Sequence, residues 1–472
     1  MKSENKNFML NAAYQMLTYV FPLVTVSYVS RSLGVDNVGI YSYTYSIVYM
    51  FMLIGMLGIN NYGNRTISKV RDDKIKLSKE FFSIYQLQVG MGICVVIGYT
   101  IYLTCICREY KLIATIQILQ LLSILFDVNW FYFGLEKFKL TIARNFFIKV
   151  SSMLLIFLFV KDTDDLWLYT LIMAGSTLAS QLYLIFMLHR YVNFIRCSFK
   201  ESFKHFKSIV ILFIPVLAFG IYRVMDKTMI GALSSVTELG YYENAERLIN
   251  IPISLINALG TVMLPRMSYL LKDDSCDYKK PIYESMKLAL LMSIIMAGGL
   301  FLIADDITIV LFGSKFLKSS GILRALSITI LASAWANVIR TQYLIPKSLD
   351  KIYVTSTIGG AIVNLIFNVI LIGKYGAYGA CVGTIAAECF VAIYQTAKIR
   401  NEIEIKKYLI SLLKDLIKTV LIIALAYFGG VMFSNVYLRL AVNIIIAVIS
   451  FITLNYRYIL YDFLGIKRKA SY

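Results

Sequence analysis

The sequence is poor in the side chains that build metal centres and His-based catalytic sites. Its 472 residues include only 2 histidines and 7 cysteines. Cys105 and Cys107 form the one closely spaced cysteine pair, and both histidines, His189 and His205, fall elsewhere in a single basic connection. Because a metal site needs several such ligands at suitable spacing, we expect no metal and no bound cofactor.

Acidic residues are also scarce, with 28 Asp and Glu against 47 Lys and Arg and a net charge of +19. A nucleic-acid partner is one explanation of such an excess, but the basic residues lie in short connections between long apolar runs. Counted together with the adjoining ends of the runs, one set of alternate connections holds 33 of them: the N-terminus, 61–81, 135–144, 189–207, 264–287, 346–351, 398–418 and the C-terminus. The intervening connections, to which Arg439 is assigned, hold 8, and the remaining 6 fall inside the runs. By the positive-inside rule, this asymmetry predicts that both termini are cytoplasmic. Because the basic residues lie in short connections next to the apolar runs, we also expect that no nucleic acid is bound.

Apolar residues are abundant instead. They make up 58% of the chain, with a mean hydropathy of +0.70, whereas soluble domains have roughly 45–50%. The first apolar run has no small-residue cleavage site after it, so we interpret it as a transmembrane helix and not as a signal peptide. Runs of about 20 residues, enough to cross hydrocarbon, leave no room for a soluble domain. They predict an all-α polytopic membrane protein with about 14 transmembrane helices, at residues 8–30, 39–60, 82–104, 112–134, 140–160, 166–188, 208–232, 242–265, 281–303, 321–346, 352–373, 376–397, 415–433 and 436–459.

Short sequence matches recur at a spacing of six predicted helices. Gly39-Ile40-Tyr41 follows the first run and Gly240-Tyr241-Tyr242 follows the seventh. The same two runs contain Pro22 and Pro215, for which hinge and packing roles both stay open. A parallel repeat about an axis along the membrane normal is expected to place its substrate site between the lobes. The predicted boundaries are 1–188 for an N-terminal six-helix lobe, 189–207 for a cytoplasmic inter-lobe loop, 208–400 for a C-terminal six-helix lobe and 401–472 for two additional helices and a tail.

Six cationic side chains fall inside the predicted transmembrane helices. Each costs on the order of 2.5–3.5 kcal/mol at a helix centre on insertion scales. A chain that keeps such charges is expected to turn them toward a polar cavity, and a cationic cavity suits an anionic ligand. The six residues are Lys149, Arg223, Lys227, Arg247, Arg324 and Arg340.

Three charged residues of the seventh run share one helix face. Arg223, Asp226 and Lys227 stand at i, i+3 and i+4. With a turn predicted near residue 237, Arg247 on the next helix should lie at the depth of Lys227. Asp226 can neutralise only one of these three cations. The group is therefore interpreted either as an anion cradle or as an ion network that holds the two helices together.

Three further arginines are candidate ligands of an anion along a transport pathway. Arg324 and Arg340 share one predicted helix and stand sixteen residues apart, or roughly 24 Å. They could pass an anion along the helix, although Arg324 could equally extend to the membrane interface. Arg31 lies at the predicted outer mouth.

The remaining intramembrane charges have a structural explanation as well as a functional one. Asp127 and Lys149 fall at about equal depth on consecutive predicted helices, which favours a structural ion pair. Glu388 lies near the middle of its helix without an evident cationic partner. It is either a site for a coupling proton or sodium ion, or a hydrogen-bonded structural acid.

Motifs over residues 5–400 carry a resemblance to a known family. The most specific is the segment Phe126-Asp127-Val128-Asn129-Trp130-Phe131-Tyr132-Phe133-Gly134-Leu135-Glu136-Lys137-Phe138. The others are Ser30–Gly34, Gly39–Tyr41, Asn61–Arg65, Asp226-Lys227, Gly240–Tyr242, Leu264–Arg266, Asn364, Asn368 and Tyr375–Ala380. On these motifs the chain resembles the polysaccharide repeat-unit flippases of the multidrug/oligosaccharidyl-lipid/polysaccharide exporter superfamily.

The resemblance implies a monomeric transporter of the bacterial inner membrane and not an enzyme. Its substrate would be an undecaprenyl-diphosphate-linked oligosaccharide, carried to the outer leaflet for a capsule-like or O-antigen-like polymer and handed to a polysaccharide polymerase. Two lobes would alternate access to a cationic cavity. Family members often carry Arg where this chain has Lys227, and a Lys is a point charge less suited to bidentate phosphate contacts. The expected head-group ligands are Arg31, Arg223, Lys227, Arg247, Arg324 and Arg340.

Three alternatives remain open from the sequence. A flippase for the peptidoglycan precursor differs from the leading interpretation only in its head group. A multidrug or cation antiporter would need an acidic or apolar cavity, which the cationic pattern disfavours. A membrane polysaccharide polymerase or ligase would need catalytic groups on an outer connection, and the outer connections here are short.

Overall fold

The structure is a computed structural model that describes residues 2–271 and 278–457, with side chains from residue 23 onward except at 214–216, 218, 219, 223 and 457. All regular secondary structure in this part of the chain is helical. The α-helices are α1 (Lys2–Met56), α2 (Ile59–Val70), α3 (Lys74–Ile101), α4 (Lys111–Ile116), α5 (Ile118–Leu122), α6 (Asn129–Gly134), α7 (Phe138–Phe159), α8 (Leu166–Met187), α9 (Phe199–Leu233), α10 (Val236–Leu270), α11 (Lys279–Phe312), α12 (Lys318–Ile339), α13 (Asp350–Tyr375), α14 (Ala377–Lys398), α15 (Ile405–Val431) and α16 (Val436–Arg457).

Local backbone breaks divide some of these helices. Gly34 has φ 77° and ψ 177° and interrupts α1, so the predicted runs 8–30 and 39–60 are two helical halves. Glycine suits this position because side chains disfavour positive φ. π-helical turns at Tyr102–Ile106 and Arg340–Leu344 extend α3 and α12. A 3₁₀ turn at Ser123–Phe126 separates α5 from α6, which makes the predicted run 112–134 a broken helix.

The protein is an all-α polytopic membrane protein, as the apolar runs predict. Eleven described segments are long and apolar enough to cross a membrane, judged by length and composition. Val436–Tyr456 illustrates why lipid is required, since only 6% of its most apolar window is buried within the protein. Apolar surface of this extent is stable in hydrocarbon and unstable in water. The count of fourteen helices and the cytoplasmic position of both termini stay predictions.

The chain divides into two compact units, Met1–Glu243 and Asn244–Tyr472. Each has its own core. Phe81, Trp130 and Phe131 are fully buried in the N-terminal unit, where Trp130 Nε1 donates to Gln88 Oε1 at 2.9 Å. Met286 and Tyr408 belong to the core of the C-terminal unit. The lobe boundaries predicted at 188, 208 and 400 describe an internal sequence repeat, and they stay predictions.

The first turns of α9 are attached to α2 and α3 by polar contacts. Glu201 in the first turn of α9 accepts from the backbone N–H of Ser198 at 3.2 Å, as in a capping box. The same carboxylate lies 2.7 Å from Lys79 Nζ on α3. His205 Nε2 lies 3.0 Å from Ser83 Oγ, and its Nδ1 lies 2.7 Å from Tyr62 OH. These contacts fix the start of α9 against α2 and α3.

Candidate functional site

Five polar side chains come together where α1, α9 and α10 meet in the N-terminal unit. Lys227 Nζ, near the end of α9, lies 2.9 Å from Glu243 Oε2 on α10. Ser42 on α1 donates its hydroxyl proton to the same Glu243 oxygen at 2.6 Å. Beside this pair, Tyr242 donates its hydroxyl proton to Asp226 Oδ2 at 2.9 Å. We refer to these five residues as the three-helix cluster.

Two glycines allow the helices of the cluster to approach closely. A Cβ atom added to Gly39 would lie 1.8 Å from the carbonyl oxygen of Val236, and one added to Gly240 would lie 2.2 Å from the carbonyl oxygen of Val35. Neither distance can accommodate a side chain unless the backbone moves. Gly39 and Gly240 are the first residues of the two repeated Gly-x-Tyr motifs, which therefore pack against each other. Their contact brings Ser42 to the residues that follow Gly240.

The turn between α9 and α10 determines which residues are at equal depth. It lies at residues 234 and 235, since α9 ends at Leu233 and α10 begins at Val236, and not near 237 as the sequence suggested. Counting from this turn, the residues of α10 level with Lys227 are those near 242 and 243. Glu243, which forms an ion pair with Lys227, stands at this level. The expectation that Arg247 lies at the depth of Lys227 assumed a turn two to three residues later in the chain.

The charges of the cluster are more balanced than the sequence interpretation assumed. Asp226 is not the only acid near Lys227, because Glu243 forms the ion pair with it. The side chains of Asp226 and Glu243 are both buried, whereas 20% of the Lys227 side chain is accessible. The cation is thus the more accessible member of its pair. The side chain of Arg223 lies outside the described part of the structure, and Arg247 is a half-buried residue of the C-terminal unit.

A row of partly exposed tyrosines runs along α1 from the cluster. Tyr41, Tyr45 and Tyr49 stand one helical turn apart, with ring centroids 6.0 Å and 6.1 Å apart in sequence order. Tyr41 also contacts Tyr169 edge to face at 4.8 Å. Ser42 lies beside this row, so aromatic faces and the charged cluster are neighbours on one helix.

Asp127 belongs to a different polar group in the N-terminal unit. It accepts from the backbone N–H of Asn129 at 3.0 Å and from the Asn129 amide at 2.6 Å. The buried Arg144 donates to Asn129 Oδ1 at 2.9 Å and to Gln181 Oε1 at 3.3 Å. Lys149 is exposed on α7. The expected pairing of Asp127 with Lys149 is therefore replaced by a network through Arg144, which the sequence interpretation had assigned to a loop.

Arg324 and Arg340 have distinct surroundings in the C-terminal unit. Arg324 NH2 forms an ion pair with Asp305 Oδ2 at 2.7 Å, and its Nε donates to the carbonyl oxygen of Phe301 at 3.2 Å. The guanidinium of Arg340 lies 5.7 Å from the ring centroid of Tyr353. Arg324 thus joins α12 to α11, whereas Arg340 makes a cation–π contact with α13.

Two further charged contacts occur within the C-terminal unit. Glu388 Oε2 accepts from the hydroxyl of Ser333 at 2.8 Å, which joins α14 to α12. Arg439 binds the buried Asp306 with two guanidinium nitrogens, and its Nε lies 2.9 Å from Asp306 Oδ2. Sequence reasoning placed Arg439 in an outer connection and missed this link between α16 and α11.

The remaining predicted site residues lie on α1 and α9. Arg31 is exposed on α1, three residues before the break at Gly34. Pro22 and Pro215 lie in the helical backbone of α1 and α9, and their side chains fall outside the described part of the structure. Their proposed hinge role stays a prediction.

The sequence and the fold match known proteins. A family model described as "Polysaccharide biosynthesis protein" matches residues 5–271. A protein of Shigella dysenteriae named "Putative O-antigen transporter" is 20% identical over 400 residues, which cover 84% of this chain and 100% of that protein.

Two solved structures have a similar architecture. The lipid II flippase MurJ in an inward closed conformation superposes with a TM-score of 0.74 at 16% identity, over 95% of this chain and 99% of that one. A multidrug resistance MATE family transporter of the MOP superfamily, in an inward-facing conformation, gives a TM-score of 0.62 at 13% identity, over 81% and 93%. At such low identities these likenesses establish the fold alone.

Proposed function

Since the chain belongs to the polysaccharide biosynthesis protein family, we propose that it is a flippase for lipid-linked oligosaccharide repeat units. It would move an undecaprenyl-diphosphate-linked oligosaccharide from the inner to the outer leaflet of the bacterial cytoplasmic membrane, by alternating access, as a monomer. The product would supply a polysaccharide polymerase that builds a capsule or O-antigen type of surface polymer. The naming of the Shigella dysenteriae relative as an O-antigen transporter supports this substrate class.

One observation carries the proposal: within the three-helix cluster, the accessible charge is a cation. Lys227 is 20% accessible, while its partner Glu243 is 8% accessible. Charged side chains in a membrane protein are costly and usually face an aqueous cavity or each other. A lysine that is held by a buried acid and yet reaches accessible space is suited to an incoming phosphate oxygen, because charge-assisted hydrogen bonds are strong at low dielectric.

Binding of the head group to Lys227 would be an exchange of partners, because Lys227 already forms an ion pair with Glu243. In the structure Glu243 accepts from both Lys227 and Ser42 through one oxygen. A diphosphate offers more negative charge and more acceptor oxygens than one carboxylate. We therefore infer that the head group competes with Glu243 for Lys227, and that Ser42 keeps a hydrogen bond to Glu243 while the lysine is engaged. Arg223 on the same helix face would add a second cation.

The neighbouring tyrosine row suits the sugar part of the same substrate. Tyr41, Tyr45 and Tyr49 are each partly exposed and lie on one face of α1. An aromatic ring presents an apolar face against which the C–H face of a sugar can pack, and its hydroxyl offers a hydrogen bond. The prenyl chain would stay in the surrounding lipid.

The test is made in the cells that encode this protein. Deletion of the gene should abolish the surface polysaccharide and leave lipid-linked repeat units accumulating in the cytoplasmic leaflet, and the wild-type gene should restore export. Accumulation of repeat units in polymerised form, or normal export without the gene, would contradict the proposal.

The same cells distinguish the alternatives. A peptidoglycan-precursor flippase would arrest cell-wall synthesis when depleted, and a multidrug antiporter would change the efflux of cationic dyes with no change in polysaccharide.

A further inference from the structure

A groove rich in lysine lies between α11 and α15 in the C-terminal unit. Its volume is about 520 Å³, within the range of roughly 300–1,000 Å³ that holds small ligands. Tyr283 and Lys287 line it from α11, and Lys407, Lys414 and Lys418 line it from α15. The groove belongs to a single unit and contains none of the residues of the three-helix cluster.

Two carboxylates accompany the lysines of this groove. Lys407 forms an ion pair with Glu404 at 2.7 Å, and both side chains are exposed. Asp415 is buried at the wall of the groove, where its Oδ1 lies 3.7 Å from Lys418 Nζ. The lining of the groove therefore holds four lysines and one carboxylate, with Glu404 beside Lys407, and this predominance of cations suits a phosphate-bearing ligand.

Apolar surface continues from the lysines along the same face of α15. Ile410 and Ile417 line the groove and are exposed. Leu413, Val420 and Leu421 are exposed on α15 as well, and the spacing of 3, 4 and 7 residues between these five positions places them on one helix face. A ligand with a phosphate at the lysines would therefore lay its apolar part on this stripe. That arrangement selects an amphiphile over free phosphate.

We propose that this groove binds the head group of an anionic glycerophospholipid, whose acyl chains lie along the apolar stripe of α15. Basic pockets between transmembrane helices on the cytoplasmic side are recognised sites for such head groups. The basic connection that precedes α15 is predicted to be cytoplasmic, so the lipid would come from that leaflet. The proposal concerns a lipid that is bound and not transported, and it stands independently of the proposed flippase function.

The test measures lipid binding by the full chain in detergent micelles. Phosphatidylglycerol is added, and the bound lipid is counted by native mass spectrometry. The combined variant Lys287→Gln, Lys414→Gln and Lys418→Gln should weaken binding at least about tenfold, given roughly 1 kcal/mol for each basic residue near an anionic lipid surface.

A matched control removes the same charge elsewhere. Lys69, Lys137 and Lys139 are exposed in other basic connections that are predicted to be cytoplasmic. Their combined change to Gln should leave phosphatidylglycerol binding unchanged. Equal loss of binding in both triple variants would mean that net charge alone attracts the lipid, and it would overturn the proposed site.

Single variants keep the test decisive if the groove triple variant is poorly folded. Lys414 is exposed, so Lys414→Glu should fold and still weaken lipid binding more than Lys139→Glu does. Asp415→Asn removes a negative charge from the groove and should strengthen binding. If neither change alters binding, the groove is not the lipid site.

Three further ligands separate the sources of the phosphate. Phosphatidylcholine, which carries no net charge, should bind weakly, and inorganic phosphate should not displace phosphatidylglycerol at millimolar concentration. An isoprenyl diphosphate that binds the groove more tightly than phosphatidylglycerol would assign the groove to the transported lipid and would overturn the proposal. Loss of flipping with normal phosphatidylglycerol binding would concern the proposed function only.

Discussion

The pair Lys227–Glu243 allows folding and substrate binding to be tested separately. Changing Lys227 to Gln removes the ion pair from the buried Glu243, which keeps its hydrogen bond from the Ser42 hydroxyl. Removing one member of a buried ion pair typically costs about 3–5 kcal/mol. Because Lys227 is 20% accessible, we expect the lower end, about 3 kcal/mol. This corresponds to a change of roughly 150-fold in the folding equilibrium.

The double variant Lys227→Gln, Glu243→Gln should recover most of that loss, because it removes both charges of the pair. It should nevertheless fail to export polysaccharide, since the accessible cation is absent. Glu243→Gln alone should cost less stability than Lys227→Gln, because Lys227 can reach water, and it should bind the head group more tightly because its competitor is gone. Lys227→Arg should retain export, since the guanidinium keeps the positive charge and can contact a phosphate through two N–H groups.

Three measurements evaluate these variants: protein abundance in the membrane, the thermal unfolding midpoint in detergent, and surface polysaccharide per cell. Wild-type stability of Lys227→Gln would mean that the ion pair contributes little to folding. Normal export by the double variant would refute the role of Lys227 in substrate binding and leave the cluster as a structural ion network.

Three further predictions follow from other parts of the structure. Gly39→Ala should lower membrane abundance severely because its Cβ would meet a carbonyl oxygen at 1.8 Å, whereas Gly90→Ala, with no atom within 4 Å of its Cβ, should be tolerated; equal abundance of the two would refute the close approach. Burial lowers the pKa of His205 from its usual 6.5, against the opposing effect of Glu80. The folded state therefore has its full stability above pH 6.5, where the imidazole is neutral in both states, and loses stability as the pH falls through the lower folded pKa. Thermal unfolding midpoints at pH 7.5 and 5.5 should differ more for the wild type than for His205→Gln. Glu388→Gln should make flipping independent of the ion gradient while head-group binding persists, and an unchanged ion dependence would make Glu388 a structural acid.

The helices could be predicted because a long apolar run in a membrane protein has few alternatives to the α-helix. Backbone hydrogen bonds must be satisfied within each segment in lipid, and a helix of about 20 apolar residues does so. The break at Gly34 was anticipated only as a gap between two runs. The helix α2, Ile59–Val70, was not anticipated, since its composition is mixed and most of it was assigned to a connection.

The pairing of the charged side chains could not be predicted from positions along one helix. Asp226 and Lys227 were selected because they share one helix face, and the structure places them in contact with Tyr242 and Glu243 on the next helix. Equal depth on two helices depends on where the turn lies. An error of two or three residues in the turn moves the residue at equal depth on the second helix by twice that number, which is more than a full turn. Glu243 was visible as an acid three residues after Gly240, and a search across both helices would have found it.

The central claim is tested most directly by purified protein in sealed lipid vesicles. An isoprenyl-diphosphate-linked oligosaccharide is incorporated in both leaflets, and an impermeant glycosidase added outside removes the sugars that it can reach. Wild-type protein should make nearly all of the oligosaccharide accessible to the enzyme. Vesicles without protein, and vesicles with the folded double variant of Lys227 and Glu243, should protect about half of it. Protection of half of the oligosaccharide by vesicles that contain folded wild-type protein and the required ion gradient would contradict the flippase assignment.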